Sequence, residues 1–134
     1  MFNARLWFAR LTVCYAALIF TFLAWLYIAA PLDHIAGFGI AASGAPESIN
    51  FLRAGPGALF LGMAVFAVAG LARPGLLERS LWVLVIFNGG VVAVRLLGIA
   101  VDGVTALQLS ELRDEGLSWL LFVAALVALP RPGR

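Results

Sequence analysis

Apolar residues run along this chain in four long stretches, and nearly all of the charge is gathered in the short segments between them. Within the stretches the apolar positions do not follow one helical face. They are continuous, which is the pattern of a helix surrounded by apolar material on every side. Residues 11–30 form the first stretch, without a charge in it. Arg5, Trp7, Phe8 and Arg10 precede it and Pro31 follows it, so it reads as an uncleaved anchor with interfacial residues at its start. Residues 54–72 form the second and residues 81–101 the third, the latter with Asn88 and Arg95 inside it. The fourth, residues 117–129, is too short alone to cross a hydrocarbon core of about 30 Å, which takes about 20 residues. Leu107, Leu109 and Leu112 extend it upstream among charges, so its helix is expected to begin near Ala106 and to span residues 107–129.

The connections differ in kind. Arg73-Pro74-Gly75 stops one helix and Ser80 is placed to cap the next, so the second and third stretches form an antiparallel hairpin. The connection over residues 32–52 is longer than a hairpin needs and half apolar, with Ile35, Phe38, Ile40, Ile49 and Phe51. It is expected to lie as a cap on the end of the molecule. Pro46 followed by Glu47 suits a first helical turn, so the second helix can begin there. Such a helix would run through Pro56, which cannot donate to the carbonyl of Leu52 and predicts a kink or break beside Arg53.

Composition turns this pattern into a class. Of 134 residues, 63% are hydrophobic and only 12% charged, with a mean hydropathy of +1.04. Too little polar surface remains for a free soluble globule. The expected fold is all-α, an integral membrane four-helix bundle in one domain over residues 1–134. All nine basic residues are arginine, spread singly along the chain, which argues against nucleic acid as a partner and leaves the lipid bilayer as the first one. The single Cys14 reads as a small buried hydrophobe.

Charge asymmetry sets the orientation. With the N-terminus in the cytoplasm, Arg5, Arg10, Arg73, Arg79, Arg131 and Arg134 lie inside, and Arg53, Arg95 and Arg113 outside. Six of the seven acids, all but Glu78, then fall outside. The positive-inside rule therefore predicts four spans with both termini cytoplasmic and the long connection outside.

An ionisable side chain within a span costs roughly 2.5–3.5 kcal/mol at the bilayer centre on insertion scales, so each such group needs an explanation. Asn88, Arg95 and Asp102 recur every seven residues, which places them near one stripe of the third helix together with Gly98. Glu111, Glu115 and Ser118 share a face of the fourth helix, beside Asp114. With Arg53 from the second helix, and Asp33 or His34 from the cap, an outer polar cluster is expected: Arg53, Asn88, Arg95, Asp102, Glu111 and Glu115. It reads either as an ion-pair network or as a binding site. The lone His34 has no HExxH or paired histidine to make a metal site, so no metal and no cofactor is expected. Small residues supply a second set of candidates: Ala58, Gly62 and Gly70 at four-residue spacing around Phe66, and Gly89-Gly90 with Ala93, where helix backbones could approach closely or a second copy could dock.

With these residues in place, the chain resembles a bacterial family of small four-helix inner-membrane proteins classed as a domain of unknown function. The resemblance rests on Gly37-Phe38-Gly39-Ile40 after a proline-terminated first span, on Asn50-Phe51-Leu52-Arg53-Ala54, on Arg95-Leu96-Leu97-Gly98-Ile99, and on Asp102-Gly103. It covers most of the chain and departs at Gly55-Pro56-Gly57-Ala58, where an aromatic and paired glycines would be expected. It implies the four-span topology and draws attention to Arg53, Arg95 and Asp102, but no activity. The chain thus reads as a non-catalytic accessory or scaffold protein that binds a membrane partner, another copy of itself or lipid. The alternative is a small transporter or ligand-binding protein with its site around Arg53, Arg95 and Glu115. An enzyme acting on a lipid ranks behind both, because nothing in the sequence fixes the geometry of Glu111, Asp114 and Glu115.

Overall fold

The computed structural model describes residues 3–130, and Arg131 and Arg134, counted above toward the expected cytoplasmic side, lie outside them. Every regular element among the described residues is helical. Helix α1 covers Ala4–Ala29, α2 Pro31–Ala36, α3 Pro46–Leu52, α4 Ala58–Ala72, α5 Leu77–Asp102 and α6 Ala106–Ala128. Three continuous helical segments are long and apolar enough to cross a membrane: Ala4–Ala29, Pro46–Ala72 and Pro74–Asp102.

Helix α1 starts seven residues before its uncharged run, because the Asn3 side chain accepts from the Leu6 amide and carries Arg5 and Arg10 into the helix. Pro31 does not simply end it. Placed at N1, where its missing N–H is no loss, it opens the short α2. Pro46 opens α3 in the same way, as the Pro-Glu pair suggests. The proline at 56 does not break the helix. The chain widens into a π-helical segment, Arg53–Gly57, in which the Ala58 amide reaches the carbonyl of Arg53, and α4 follows without interruption. A 3₁₀ turn over Pro74–Leu76 reverses the chain into α5. Gly103 at φ 95° ends α5, a backbone conformation open to glycine. Thr105 and Gln108 then form a reciprocal capping box that starts α6 at Ala106, where the sequence places it.

The most extensive interfaces join α1 to α4 and α5 to α6, and the two pairs meet along smaller ones. Their core is strongly one-sided. In α5 the buried residues are Leu77, Ser80, Leu81, Leu84 and Asn88, all in its first half, and in α6 they are Phe122, Ala125 and Leu126, all near its end. These positions lie at the end of the molecule that carries the Pro74–Leu76 turn, the turn end. Toward the opposite, open end, neither Gly89–Asp102 nor the first sixteen residues of α6 contribute a buried residue. The two helix pairs are therefore closed together at the turn end and part toward the open end.

Several expectations are corrected here. Ser80 does not cap α5. It is fully buried within it and donates to the Phe66 carbonyl of α4 at 3.1 Å. This contact needs Gly70, where an added Cβ would lie 2.7 Å from the Ser80 Cβ. Cys14 is exposed on the outer face of α1 instead of buried, since the face of that helix turned to its neighbours is set by Ala9, Val13, Ala16, Ala17 and Phe20. The long connection covers the open end only in part: Ile35 is buried, whereas Ile40 and Phe51 are exposed.

Candidate functional site

The polar residues singled out by spacing do not form one cluster. Arg95, on the open-end half of α5, reaches α6 and donates from Nε to Glu115 Oε2 and from Nη2 to Glu115 Oε1. Glu111 stands one turn earlier on α6, with Oε2 3.7 Å from Arg95 Nη2. The four-residue spacing of the two acids puts both on the face that meets one guanidinium. Two parallel bonds from a planar guanidinium to a carboxylate fix geometry as well as charge. All three side chains keep between a fifth and a third of their surface exposed, so the pair is not sealed in the core.

The remaining candidates go elsewhere. Arg53 donates from Nε to the carbonyl of Ile28 at 2.9 Å. It thereby satisfies one of the carbonyls that a helix leaves free in its last turn, and serves the α1–α3 corner. Asp102 is exposed, has no hydrogen bond or ion pair among the described residues, and turns back over Gly98. Asn88 is buried and donates from Nδ2 to Leu84 O of its own helix at 3.0 Å. The seven-residue stripe thus changes surroundings along its length: buried at Asn88, half-buried at Arg95, exposed at Asp102. A helix drifts about 20° per seven residues, and the parting of the helix pairs adds to that drift. Asp33 is exposed, and His34 stands edge-on to Tyr27 and Phe38, with ring centres at 4.6 and 5.2 Å.

The small residues divide similarly. Gly89 lies under Trp119, where a Cβ would stand 2.9 Å from the indole Nε1, and that nitrogen donates to the carbonyl of Val85 at 3.2 Å. Gly62 and Gly90 face open space and Ala58 is exposed, so of the small residues singled out only Gly70 and Gly89 lie in close approach, while Gly57, which spacing did not mark, lies close against α1.

Where the two helix pairs part, a cavity of about 560 Å³ opens between them. That volume falls within the roughly 300–1,000 Å³ typical of small-ligand sites. Its apolar side comes from α1 and α4, with Phe20, Leu23 and Phe60, and continues onto α5 through Phe87. These rings support one another: Phe20 stacks on Phe60 at 5.9 Å and meets Phe87 edge-on at 5.7 Å. Polar groups line the other side: Asn88 from α5, and Asp114, Glu115 and Ser118 from α6. Toward the turn end the two helix pairs are tied by the Tyr15 hydroxyl and Ser118 Oγ, 3.1 Å apart, with Phe122 beneath. Of the residues expected to share a binding site, Glu115 and Asn88 line this cavity. Arg95 borders a second, more open groove along α5, lined with Phe87, Gly90, Val91 and Val94, which shares Phe87 and Val91 with the cavity, and Arg53 lines neither.

Spacing alone pointed to Glu115 and Ser118, but not to Tyr15, Phe20, Phe60 or Phe87. In a chain so rich in aromatics nothing marks those four, apart from Tyr15 carrying a hydroxyl in the middle of an uncharged span. No family model, curated protein or solved structure matches the chain.

Proposed function

We propose that this chain is a four-span protein of a bacterial inner membrane, with both termini in the cytoplasm, that works without covalent chemistry by taking a hydrophobic ligand from the bilayer into the cleft between its helix pairs. The observation that carries the reading is the cleft itself. A bundle serving only as a rigid scaffold gains van der Waals contact by packing its helices along their whole length, yet here α5 and α6 contribute no buried residue over their open-end halves and aromatic side chains line an open space. Of the arginines among the described residues, Arg5, Arg10, Arg73 and Arg79 lie toward the turn end and Arg53, Arg95 and Arg113 toward the other, and Arg131 and Arg134 follow α6 in the sequence, which supports placing the open end outside. Helix α6 supplies the fourth crossing. Its 23 residues rise about 34 Å, enough for a hydrocarbon core. Glu111 and Glu115 meet Arg95, and Arg113 and Asp114 neutralise each other on the exposed surface, which favours an otherwise costly insertion. The likeness of its short motifs to the small inner-membrane family is consistent with the same topology. Docking of a partner or of a second copy remains the alternative that the sequence alone favours, and the cleft moves the weight to a ligand.

Native mass spectrometry of the protein released from mild detergent tests the reading. A hydrophobic adduct of defined mass is expected on the wild-type chain and absent from Leu121→Trp, whose larger ring fills the cleft from α6. An adduct-free wild-type chain, or an adduct that Leu121→Trp leaves in place, would overturn it.

A further inference from the structure

Resting on that reading, we infer that the cleft is selective for an amphipathic cation: a molecule with an aromatic or branched apolar body and a single positive, preferably hydrogen-bond-donating, head. Three independent features of the lining agree on that class.

The first is charge. No basic side chain lines the cavity, whereas two carboxylates, Asp114 and Glu115, do. Around them Glu111, Asp114 and Glu115 share only Arg95 and Arg113, three negative groups against two positive ones. Arg113 and Asp114 pair on the exposed surface at 2.8 Å, and Arg95 serves both glutamates. The two lining acids are thus each paired, and the unit of negative charge in excess belongs to the group as a whole through Glu111, one turn from Glu115 on α6; beside an apolar space its attraction for a cation is stronger than in water.

The second is hydrogen-bond polarity. One of the two N–H groups of Asn88 Nδ2 is taken up by the Leu84 carbonyl, and Oδ1 remains as an acceptor toward the cavity. That oxygen has no partner in the protein, and no fully buried polar side-chain atom among the described residues is left unbonded, so Oδ1 must touch the open space. Ser118 gives its proton to the Asp114 carbonyl at 2.9 Å and so meets Tyr15 as an acceptor. What the wall offers a guest is thus mainly acceptors, the complement of a donor head.

The third is the opposite wall. Faces and edges of Phe20, Phe60 and Phe87 stand across the cavity from the acids. Aromatic faces attract cations by about 0.5–2 kcal/mol and stack with aromatic bodies. An anionic phospholipid headgroup would meet two carboxylates with no cation among the described residues lining the space, and a neutral acyl chain would leave the Asn88 acceptor without a partner.

The test uses the full chain in nanodiscs of phosphatidylcholine, which carries no net charge, and two probes of one shape and opposite sign, tetraphenylphosphonium and tetraphenylborate. Saturable binding above that of empty nanodiscs is measured for each. Tetraphenylphosphonium is expected to bind at one site per chain, at least about tenfold more tightly than tetraphenylborate. Leu121→Trp is expected to abolish this binding without changing charge. Asn88→Leu and the surface change Asp114→Asn are each expected to weaken it severalfold while the protein stays folded, so the outcome does not depend on Glu115 variants that weaken the α5–α6 link. Equal saturable binding of both probes, lost together in Leu121→Trp, would overturn charge selectivity while leaving the hydrophobic cleft standing. Binding of neither probe, or binding untouched by Leu121→Trp, would overturn both.

Discussion

At the scale of single residues, what matters is how much room a neighbour leaves. Gly62 and Gly70 sit eight residues apart on one helix and look equivalent in the sequence, yet their surroundings are opposite: open space at Gly62, the Ser80 side chain at Gly70. Gly70→Ala is expected to lower stability by about 1–3 kcal/mol through overpacking. Gly62→Ala should leave it unchanged or raise it by up to about 1 kcal/mol, because alanine is the better helix former. Thermal unfolding in detergent, followed by circular dichroism, compares them, and equal shifts would contradict the placement of Ser80. Spacing by four identified both glycines but not this difference, since it fixes the face of one helix and says nothing of which neighbour lies against it. The same holds for Ser80, read as a cap from its position after a turn and found spanning two helices.

At the scale of elements, the tie between α5 and α6 is the clearest case of spacing translated into contact. Glu111 and Glu115 lie four apart and both meet Arg95, as expected for acids on one helical face and a basic group at matching depth on the next. Removing Arg95 leaves two carboxylates competing for water at the edge of an apolar region. Arg95→Ala and Glu115→Ala are each expected to destabilise by about 1–3 kcal/mol, reduced by the part-exposure of the pair. Their combination should cost clearly less than the sum in a double-mutant cycle. Strict additivity would mean that the bidentate contact adds nothing to stability. Helix ends were legible for the same local reason: Pro46, Gly103 and Thr105 act through their own backbone or their nearest turn. Arg53 was not, because its partner, the Ile28 carbonyl, is twenty-five residues away and belongs to a helix end that the sequence placed nearby without orienting. The effect of Pro56 was half legible: loss of a donor was certain, but whether the helix bends or widens depends on packing against α1, where Gly57 lies 3.1 Å, measured from an added Cβ, from Ile28 Cγ1.

At the scale of the whole molecule, helical class and apolar spans follow from composition and run length, since these depend on the solvent around the chain and not on partners within it. The cleft does not follow. It arises because small and medium side chains such as Ala9, Val13, Ala67, Leu81 and Ala125 close the helices together at the turn end, while the open end carries charges that pair within α5–α6 instead of across to α1–α4. Such a division of contacts is a property of the assembled helices, and it determines whether a membrane ligand can enter. Everything about the cleft as an outward-facing site depends on α6 crossing the bilayer with its charged half outside. Labelling with a membrane-impermeant maleimide, in intact cells and a Cys14→Ser background, tests this directly with single cysteines at Glu78, Gln108 and Pro130. Four crossings require Gln108→Cys to be labelled from the periplasm, with Glu78→Cys and Pro130→Cys protected until the membrane is opened. Labelling of Gln108→Cys and Pro130→Cys from the same side would show that α6 does not span, and with it the outward-facing cleft would fall.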